Sequence, residues 1–289
     1  MDIGFIGAGK VGCTLGKLFC ERGLKVTGYY DSDADAANEA ARFTGSACYS
    51  DMKQLAQSSD VLFLTVPDGL IGPVFSQLRG AADLAGRLIC HCSGSISSRD
   101  VFEGIEDAGA FGYSVHPLFA VSSRFETYKE LGGAFFSLEG DPSHIDDMAA
   151  LLTEAGLRFQ IIDPSSKTRY HLAAVYASNL VCGLIGEASR LLQECGFGEE
   201  DALNALSPLI SGNVEHALAV GPVQALTGPV ERGDVITLEK HLSVCGSEED
   251  RQLYLLLSEK LLRLAKEKHP ERDYEKMEQY IRRRQNEHL

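Results

Sequence analysis

Along the first half of the chain, short apolar runs alternate with stretches of helical period. Ile3–Ile6 is followed by a helical pattern to Arg22, and Lys25–Tyr30 by another from about Asp33; further apolar runs fall at Asp60–Val66, Arg87–Cys92 and Ala110–Val115. Repeated strand and helix units of this kind predict an α/β fold with a doubly wound, mostly parallel sheet. Two more runs, Ala134–Leu138 and Arg158–Ile162, flank a helix that Asp141 as N-cap and Pro142 at N1 would start, so the sheet is expected to exceed six strands.

After Asp163, Pro164, Ser165 and Ser166 the strand signals stop, and the remaining pattern predicts helices at about 167–195, 199–219, 237–244, 248–268 and 271–286. The expected organisation is a dinucleotide-binding domain over 1–164 and an all-helical domain over 165–289. Leu172–Ile185, the least polar stretch, is shorter than the ~18 apolar residues of a membrane span and reads as a buried helix. The stripe Leu253, Leu256, Leu257 and Leu261, with Lys260, reads as a core-facing helix side. Gly221–Asp234, which holds Thr227, Gly228, Pro229, Arg232 and Gly233, reads as a long loop, and long ordered loops are often functional.

A chain of 289 residues suits two domains, and 44% hydrophobic with 24% charged residues is ordinary for a folded soluble protein. The net charge of −14 divides into about −10 over residues 1–164 and −4 beyond. Neither half has the basic footprint of a nucleic-acid or anionic-membrane partner, so a small-molecule function is expected. The basic cluster Arg282–Arg284 reads as a solvated helix face. Eight cysteines form no CxxC pair, and the N-terminus runs directly into a strand pattern; reduced thiols and a cytoplasmic location are expected. No His, Cys, Asp or Glu set has a zinc spacing, so no metal is expected.

Gly7, Gly9 and Gly12 form G-x-G-x-x-G directly after the first strand, and Lys10 and Val11 open the following helix. In that setting the first glycine allows a tight turn, the second lets a pyrophosphate approach the backbone and the third lets helix and strand pack closely. Asp31, just after the second strand, is placed to accept hydrogen bonds from an adenosine ribose, and Asp31, Ser32, Asp33 and Asp35 would repel a 2′-phosphate. NAD(H) is therefore the expected cofactor, with NADP(H) the alternative. The loops Val66-Pro67-Asp68 and Ser93-Gly94, at strand carboxyl ends, are expected to cover the nicotinamide and substrate.

Hydride transfer to a carbonyl needs a proton donor for the developing alkoxide, a role suited to Lys or His. Lys167, His171, Ala174 and Ser178 fall on one stripe of the helix after the boundary, with Asn179 about 100° further round, where it could satisfy a backbone group. His116 lies at a strand end before Pro117.

These residues together resemble a family of Rossmann-like oxidoreductases whose C-terminal helical domain is of uncharacterised function. The matching stretches are Gly4–Gly12, Leu64–Asp68, His91–Gly94, His116–Leu118, Lys167 with His171 through Asn179, and Leu226–Pro229 with Arg232–Asp234. The family is similar to pyrroline-5-carboxylate reductase, prephenate dehydrogenase, the β-hydroxyacid dehydrogenases and ketopantoate reductase. The resemblance implies that His116 contacts the reacting oxygen and that Lys167 corresponds to the lysine of ketopantoate reductases and β-hydroxyacid dehydrogenases. By their place on or beside the polar helix stripe or in the long loop, Ser178, Asn179, Thr227 and Arg232 are expected to contact substrate, while the resemblance makes Ser93 and Gly94 the substrate loop. It also implies a homodimer formed through the helical half. His171 stands where β-hydroxyacid dehydrogenases have Asn, which leaves the acid open between Lys167 and His171. Asp31-Ser32-Asp33 replaces the Ser-Arg-Ser of many NADP-using relatives.

The expected activity is NAD(P)-dependent reduction of a small 2-oxo acid, ketopantoate leading, with Lys167 or His171 as acid and Ser93 and His116 orienting. The alternatives are an imine or amino-acid dehydrogenase of the pyrroline-5-carboxylate type and a dinucleotide-binding sensor without turnover.

Overall fold

The computed structural model describes residues 1–287. Eight strands form one sheet: β1 (Asp2–Ile6), β2 (Lys25–Tyr30), β3 (Ala47–Cys48), β4 (Val61–Leu64), β5 (Leu88–His91), β6 (Phe111–Leu118), β7 (Phe135–Gly140) and β8 (Arg158–Ile161). Their order is β3-β2-β1-β4-β5-β6-β7-β8, and every neighbouring pair is parallel except the antiparallel β6–β7. The strand order reverses at β1, between β2 and β4, and the crevice at such a switch point is where doubly wound sheets bind ligands.

The helices in chain order are α1 (Lys10–Glu21), α2 (Ala34–Thr44), α3 (Met52–Gln57), α4 (Asp68–Ala81), α5 (Ser98–Val101), α6 (Tyr128–Leu131), α7 (Ile145–Glu154) and α8 (Lys167–Ala177). Then follow α9 (Asn179–Glu194), α10 (Glu199–Val220), α11 (Pro222–Ala225), α12 (Pro229–Arg232), α13 (Val235–Ser243), α14 (Glu248–Lys268) and α15 (Glu275–Asn286). Local chemistry sets many of their ends. Asp33 caps α2 by accepting from the Asp35 and Ala36 amides, and Gly45 ends it with φ 72°, a left-handed conformation that costs glycine little. Asp141 caps the short turn at Pro142 that leads into α7.

Strand alternation divides the sheet's core in two. Ile3, Phe5, Val61, Phe63, Cys90, Tyr113 and Val115 face one side with residues of α1, α2 and α7. Ile6, Leu62, Leu64 and Ile89 face the other with Leu55, Ile71, Phe75 and Phe102. On that second side, β6 and β7 present Ser114, His116, Ser137 and Glu139 in place of apolar residues, since residues two apart share a face.

The chain divides into two compact units, the first Met1–Val181 and the second from Cys182 onward. Strand signals end near 164, yet α8 groups with the sheet, because Lys167 and Tyr170 bond to Ser114 and His116 of β6. The second unit has its own core of Val230, Leu238, Leu242, Leu255, Leu262, Ala265, Tyr274, Met277 and Ile281.

Two helical expectations and one loop expectation are corrected. Leu172–Ile185 is not a buried helix: the helix breaks at Ser178, and Leu172, Tyr176, Leu180 and Leu184 are 41–62% exposed. Pro164–Glu194 is long and apolar enough to cross a membrane by length and composition, with 6% of its apolar window buried. In α14 the buried side is Leu255, Ser258, Leu262 and Ala265, whereas the stripe Leu253, Leu256, Leu257 and Leu261 is exposed. That helix is apolar on two sides, and periodicity identifies a covered side without saying what covers it. Gly221–Asp234 is not one loop but carries α11 and α12, each started by a proline at its first turn.

Candidate active site

The turn between β1 and α1 divides its three glycines by function. Gly7 has φ 108°, and a Cβ there would lie 2.6 Å from the Thr65 carbonyl oxygen. A Cβ on Gly12 would lie 2.4 Å from the Gly7 carbonyl oxygen and 2.5 Å from Thr65 Oγ1, so α1 packs directly on the turn and on β4's end. A Cβ on Gly9 would meet nothing within 4 Å. Gly9 is also the N-cap of α1, with no side-chain cap and no acidic residue in the first turn, where Lys10 and Val11 stand. Uncapped amides beside open space fit a pyrophosphate, with the helix dipole adding to the attraction.

Asp31 braces this turn. Its carboxylate accepts from the Ala8 amide at 2.7 Å, from the Asp33 amide at 2.9 Å and from Ser32 Oγ at 3.3 Å. A carboxylate has about four acceptor positions, so ribose hydroxyls can still bond to it.

The loops after β4 and β5 are tied together. Ser93 Oγ donates to Asp68 Oδ2 at 2.8 Å, Ser95 Oγ reaches the same oxygen at 3.2 Å, and the Ser95 and Ile96 amides bond to Ser93 Oγ. Ser93 is thus occupied in shaping its own loop. The next residue, Gly94, lies where a Cβ would be 2.7 Å from both His116 Nε2 and His171 Nδ1. Two imidazoles from different elements therefore converge on one backbone position. Val66 and Pro67 lead into α4, which begins at Asp68.

Helix α8 closes the cluster. Lys167 is 1% exposed, and its Nζ donates to Ser114 Oγ at 2.6 Å. Tyr170 OH is 3.0 Å from His116 Nδ1, and the His116 and His171 rings are 6.4 Å apart. Burial pushes the Lys167 ammonium down to about 8, against the opposing pull of the Glu139 charge. Burial, then the Lys167 and His171 charges, push His116 down to about 4, so it is neutral near pH 7. His91, fully buried with Nδ1 accepting from the Ser93 amide, is pushed down to about 3, chiefly by burial. Three polar atoms remain without a partner here, His91 Nε2, His171 Nδ1 and Ser137 Oγ, the last beside Tyr170. Among the described residues no group of three His, Cys, Asp or Glu is set to hold a metal ion.

The structure thus brings Ser93, Gly94, His116, Lys167 and His171 together around Ser114. Ser178 and Asn179 fall away from them. Both are exposed, Ser178 Oγ bonds to the Ala174 carbonyl and to Asn179 Oδ1, and the expected role of Asn179 at a buried backbone group is not found. Thr227 and Arg232 belong to the second unit, where both are exposed. Sequence reasoning missed Ser114, Ser137, Glu139 and Tyr170. The available signal was the run of polar residues at alternate positions of β6 and β7, and Tyr170 standing three residues after Lys167, on nearly the same helix side.

Two protein-family models match the chain: a Rossmann-like domain over residues 1–117 and a domain of unknown function (DUF2520) over residues 134–261. The second match begins inside the sheet, so β7 and α8 both lie within it. No curated protein matches by sequence. Among solved structures the fold is similar to protein TM1727 from Thermotoga maritima, with TM-score 0.72 and 27% identity over 92% of this chain and 99% of that one. It is similar to BF3122 from Bacteroides fragilis, provisionally named an NADP oxidoreductase, with TM-score 0.67 and 24% identity over 91% and 98%. It is also similar to a reductive aminase from Aspergillus terreus solved with NADPH and ethyl levulinate, with TM-score 0.65 and 16% identity over 97% and 99%. The chain therefore carries a Rossmann-like domain in its first half, followed by a domain of unknown function.

Proposed function

We propose that the chain is a nicotinamide-dependent oxidoreductase that reduces a small anionic 2-oxo acid, with ketopantoate the leading candidate. The observation that carries this reading is the buried Lys167 amine, held on Ser114 within a cluster that includes His116, His171 and Gly94. A reduced nicotinamide held along the glycine turn would supply the hydride. Lys167 gives a proton to the carbonyl oxygen as charge develops on it, then regains one from solvent. His116, neutral and fixed by Tyr170, and His171, with an unpartnered Nδ1, orient that oxygen. Asp68 keeps Ser93 and its loop in place. Asp31, with Asp33 and Asp35 nearby in sequence, favours NAD(H) over NADP(H).

The solved structures of similar fold include a reductive aminase and a pyrroline-5-carboxylate reductase, names that raise an imine as the alternative substrate. A buried ammonium weighs against an iminium substrate here, because an iminium is already cationic and needs no proton after hydride arrives, whereas an oxo acid is an anion that becomes an alkoxide. Calorimetric titration with NADH and NADPH, then nicotinamide absorbance with a panel of oxo acids and cyclic imines, tests the reading. NADH binding with oxo-acid-dependent oxidation is expected. Turnover of imines alone would overturn the substrate class, and binding without any turnover would favour a sensor.

The exposed apolar surface fits a homodimer. Leu209, Leu218, Val244 and Leu256 are 53–82% exposed. A groove of about 390 Å³ is lined by Leu184, Leu191, Val244, Leu253 and Leu257 in the helical region. Large apolar side chains this exposed suit burial against a partner, and a second copy of the same helices is the expected cover. Analytical ultracentrifugation at micromolar concentration should show a dimer; a monomer throughout would contradict it.

A further inference from the structure

Among the described residues, Glu139 is the one buried carboxylate and Lys167 the one buried lysine or arginine, at 0% and 1% exposure. Charges this deep persist only when paired or well hydrogen-bonded. The sheet register and one hydrogen bond place both beside Ser114, with no direct ion pair between them among the described residues. Ser114 and Glu139 are directly opposite in the antiparallel β6–β7 pair, which sets their Cβ atoms about 4.5–5.5 Å apart on one face. Lys167 Nζ is bonded to the Ser114 hydroxyl at 2.6 Å. Glu139 is itself anchored from behind: Oε1 accepts from the Ser98 amide at 2.9 Å, and Oε2 from Ser98 Oγ at 2.8 Å.

We infer that Glu139 is the buried counter-charge of Lys167, and the positioning residue that keeps its amine in the ammonium form against Ser114. Neither role follows from proximity to substrate, since Glu139 is enclosed by Ser98 of α5 and the strand pair. The other groups around the amine do not replace it. Asp68 at the start of α4 is shared by Ser93 and Ser95. His91 of β5 and His116 of β6 disfavour a nearby cation when they are charged themselves, Cys92 after β5 has its thiol pushed up to about 12, and Tyr170 of α8 has its phenol pushed upward, both by burial. His171 of α8 faces Gly94 and His116. The long-range pull of Glu139 on Lys167 is the strongest of those that favour the charged form.

For turnover this inference rests on the reductase reading; for the pairing itself it does not, and the experiment separates the two. Protein labelled with 13C at lysine Cε is titrated by NMR, with Lys167 assigned by loss of its signal in Lys167→Arg. In Glu139→Gln the Lys167 midpoint should fall by about one to three pH units, and in Glu139→Asp by less. An unchanged midpoint in folded Glu139→Gln overturns the pairing. If Glu139→Gln does not fold, Glu139→Gln combined with Lys167→Met decides: recovery of a cooperative melt supports mutual pairing, and continued failure overturns it by giving Glu139 a purely structural role through Ser98. In active protein the alkaline limb of kcat should move down with the midpoint. A limb that stays while the midpoint moves overturns the reductase role of Lys167 and leaves the pairing standing.

Discussion

Lys167→Met should lower kcat for oxo-acid reduction by about 10²–10⁴-fold, the usual size of a general-acid contribution, while NADH binding changes little. The separation follows from position: Lys167 bonds to Ser114 on β6, whereas the open space at the uncapped start of α1 is beside Gly9. The wild-type pH profile carries the same information. With the Lys167 ammonium pushed down to about 8, reduction should be level near neutral pH and fall about tenfold per unit above 8, as the acid form is lost. The stability consequence has a definite sign. An unfolded lysine near 10.5 binds a proton that the folded one has released between pH 8 and 10.5, so the Lys167 contribution to unfolding free energy rises with pH there. The cost of the buried ammonium, about 3 kcal/mol in order of magnitude, is fully present below pH 8 and relieved above. Chemical denaturation of wild type and Lys167→Met at pH 7 and pH 10 should show the difference moving in favour of wild type. A shift the other way, or unchanged turnover in Lys167→Met, would remove Lys167 from the acid role.

The parts of this architecture legible in the sequence are those whose physics is local. Three glycines at fixed spacing after a strand specify a turn, an approach and a packing contact, and Gly7, Gly9 and Gly12 hold these distinct positions. Lys167 and His116 stood out because they sit at a helix start and in a His-Pro strand segment. Their companions did not, because Ser114, Ser137 and Glu139 become a polar face only through the antiparallel register of β6 and β7. Nothing in the local pattern specifies that pairing; a parallel neighbour would have set different residues opposite. A glutamate near a strand's end also reads as solvated, whereas Glu139 is enclosed by Ser98. The misreading of α8, α9 and α14 as core helices has a different origin. Low polarity in α8 and α9, and amphipathic period in α14, say that a side will be covered without saying by what, and Tyr176, Leu180 and Leu256 are exposed.

Gly9→Val should weaken nucleotide binding by about 10-fold or more and leave the fold intact, whereas Gly12→Ala should harm the fold. Gly9 has an ordinary φ of −74° and open space where its Cβ would stand, so valine there is sterically free in the protein alone. Its cost is that of a poorer N-cap, up to about 1 kcal/mol. The added side chain, however, fills the space that a pyrophosphate needs against the α1 amides. Loss of even one or two charge-assisted hydrogen bonds, at roughly 1.5–3 kcal/mol each, weakens binding by about 10-fold to more than 100-fold. At Gly12 the added Cβ meets the Gly7 carbonyl oxygen at 2.4 Å and Thr65 Oγ1 at 2.5 Å, and neither can yield freely, because Thr65 Oγ1 is itself bonded to that carbonyl at 2.7 Å. Overpacking there should cost roughly 1–3 kcal/mol and lower the melting temperature. Melting curves and NADH titration on the two variants read these effects separately. A Gly9→Val protein that binds NADH as wild type does would mean that the cofactor does not lie across this turn, and with it would fall the placement of every group assigned to hydride transfer.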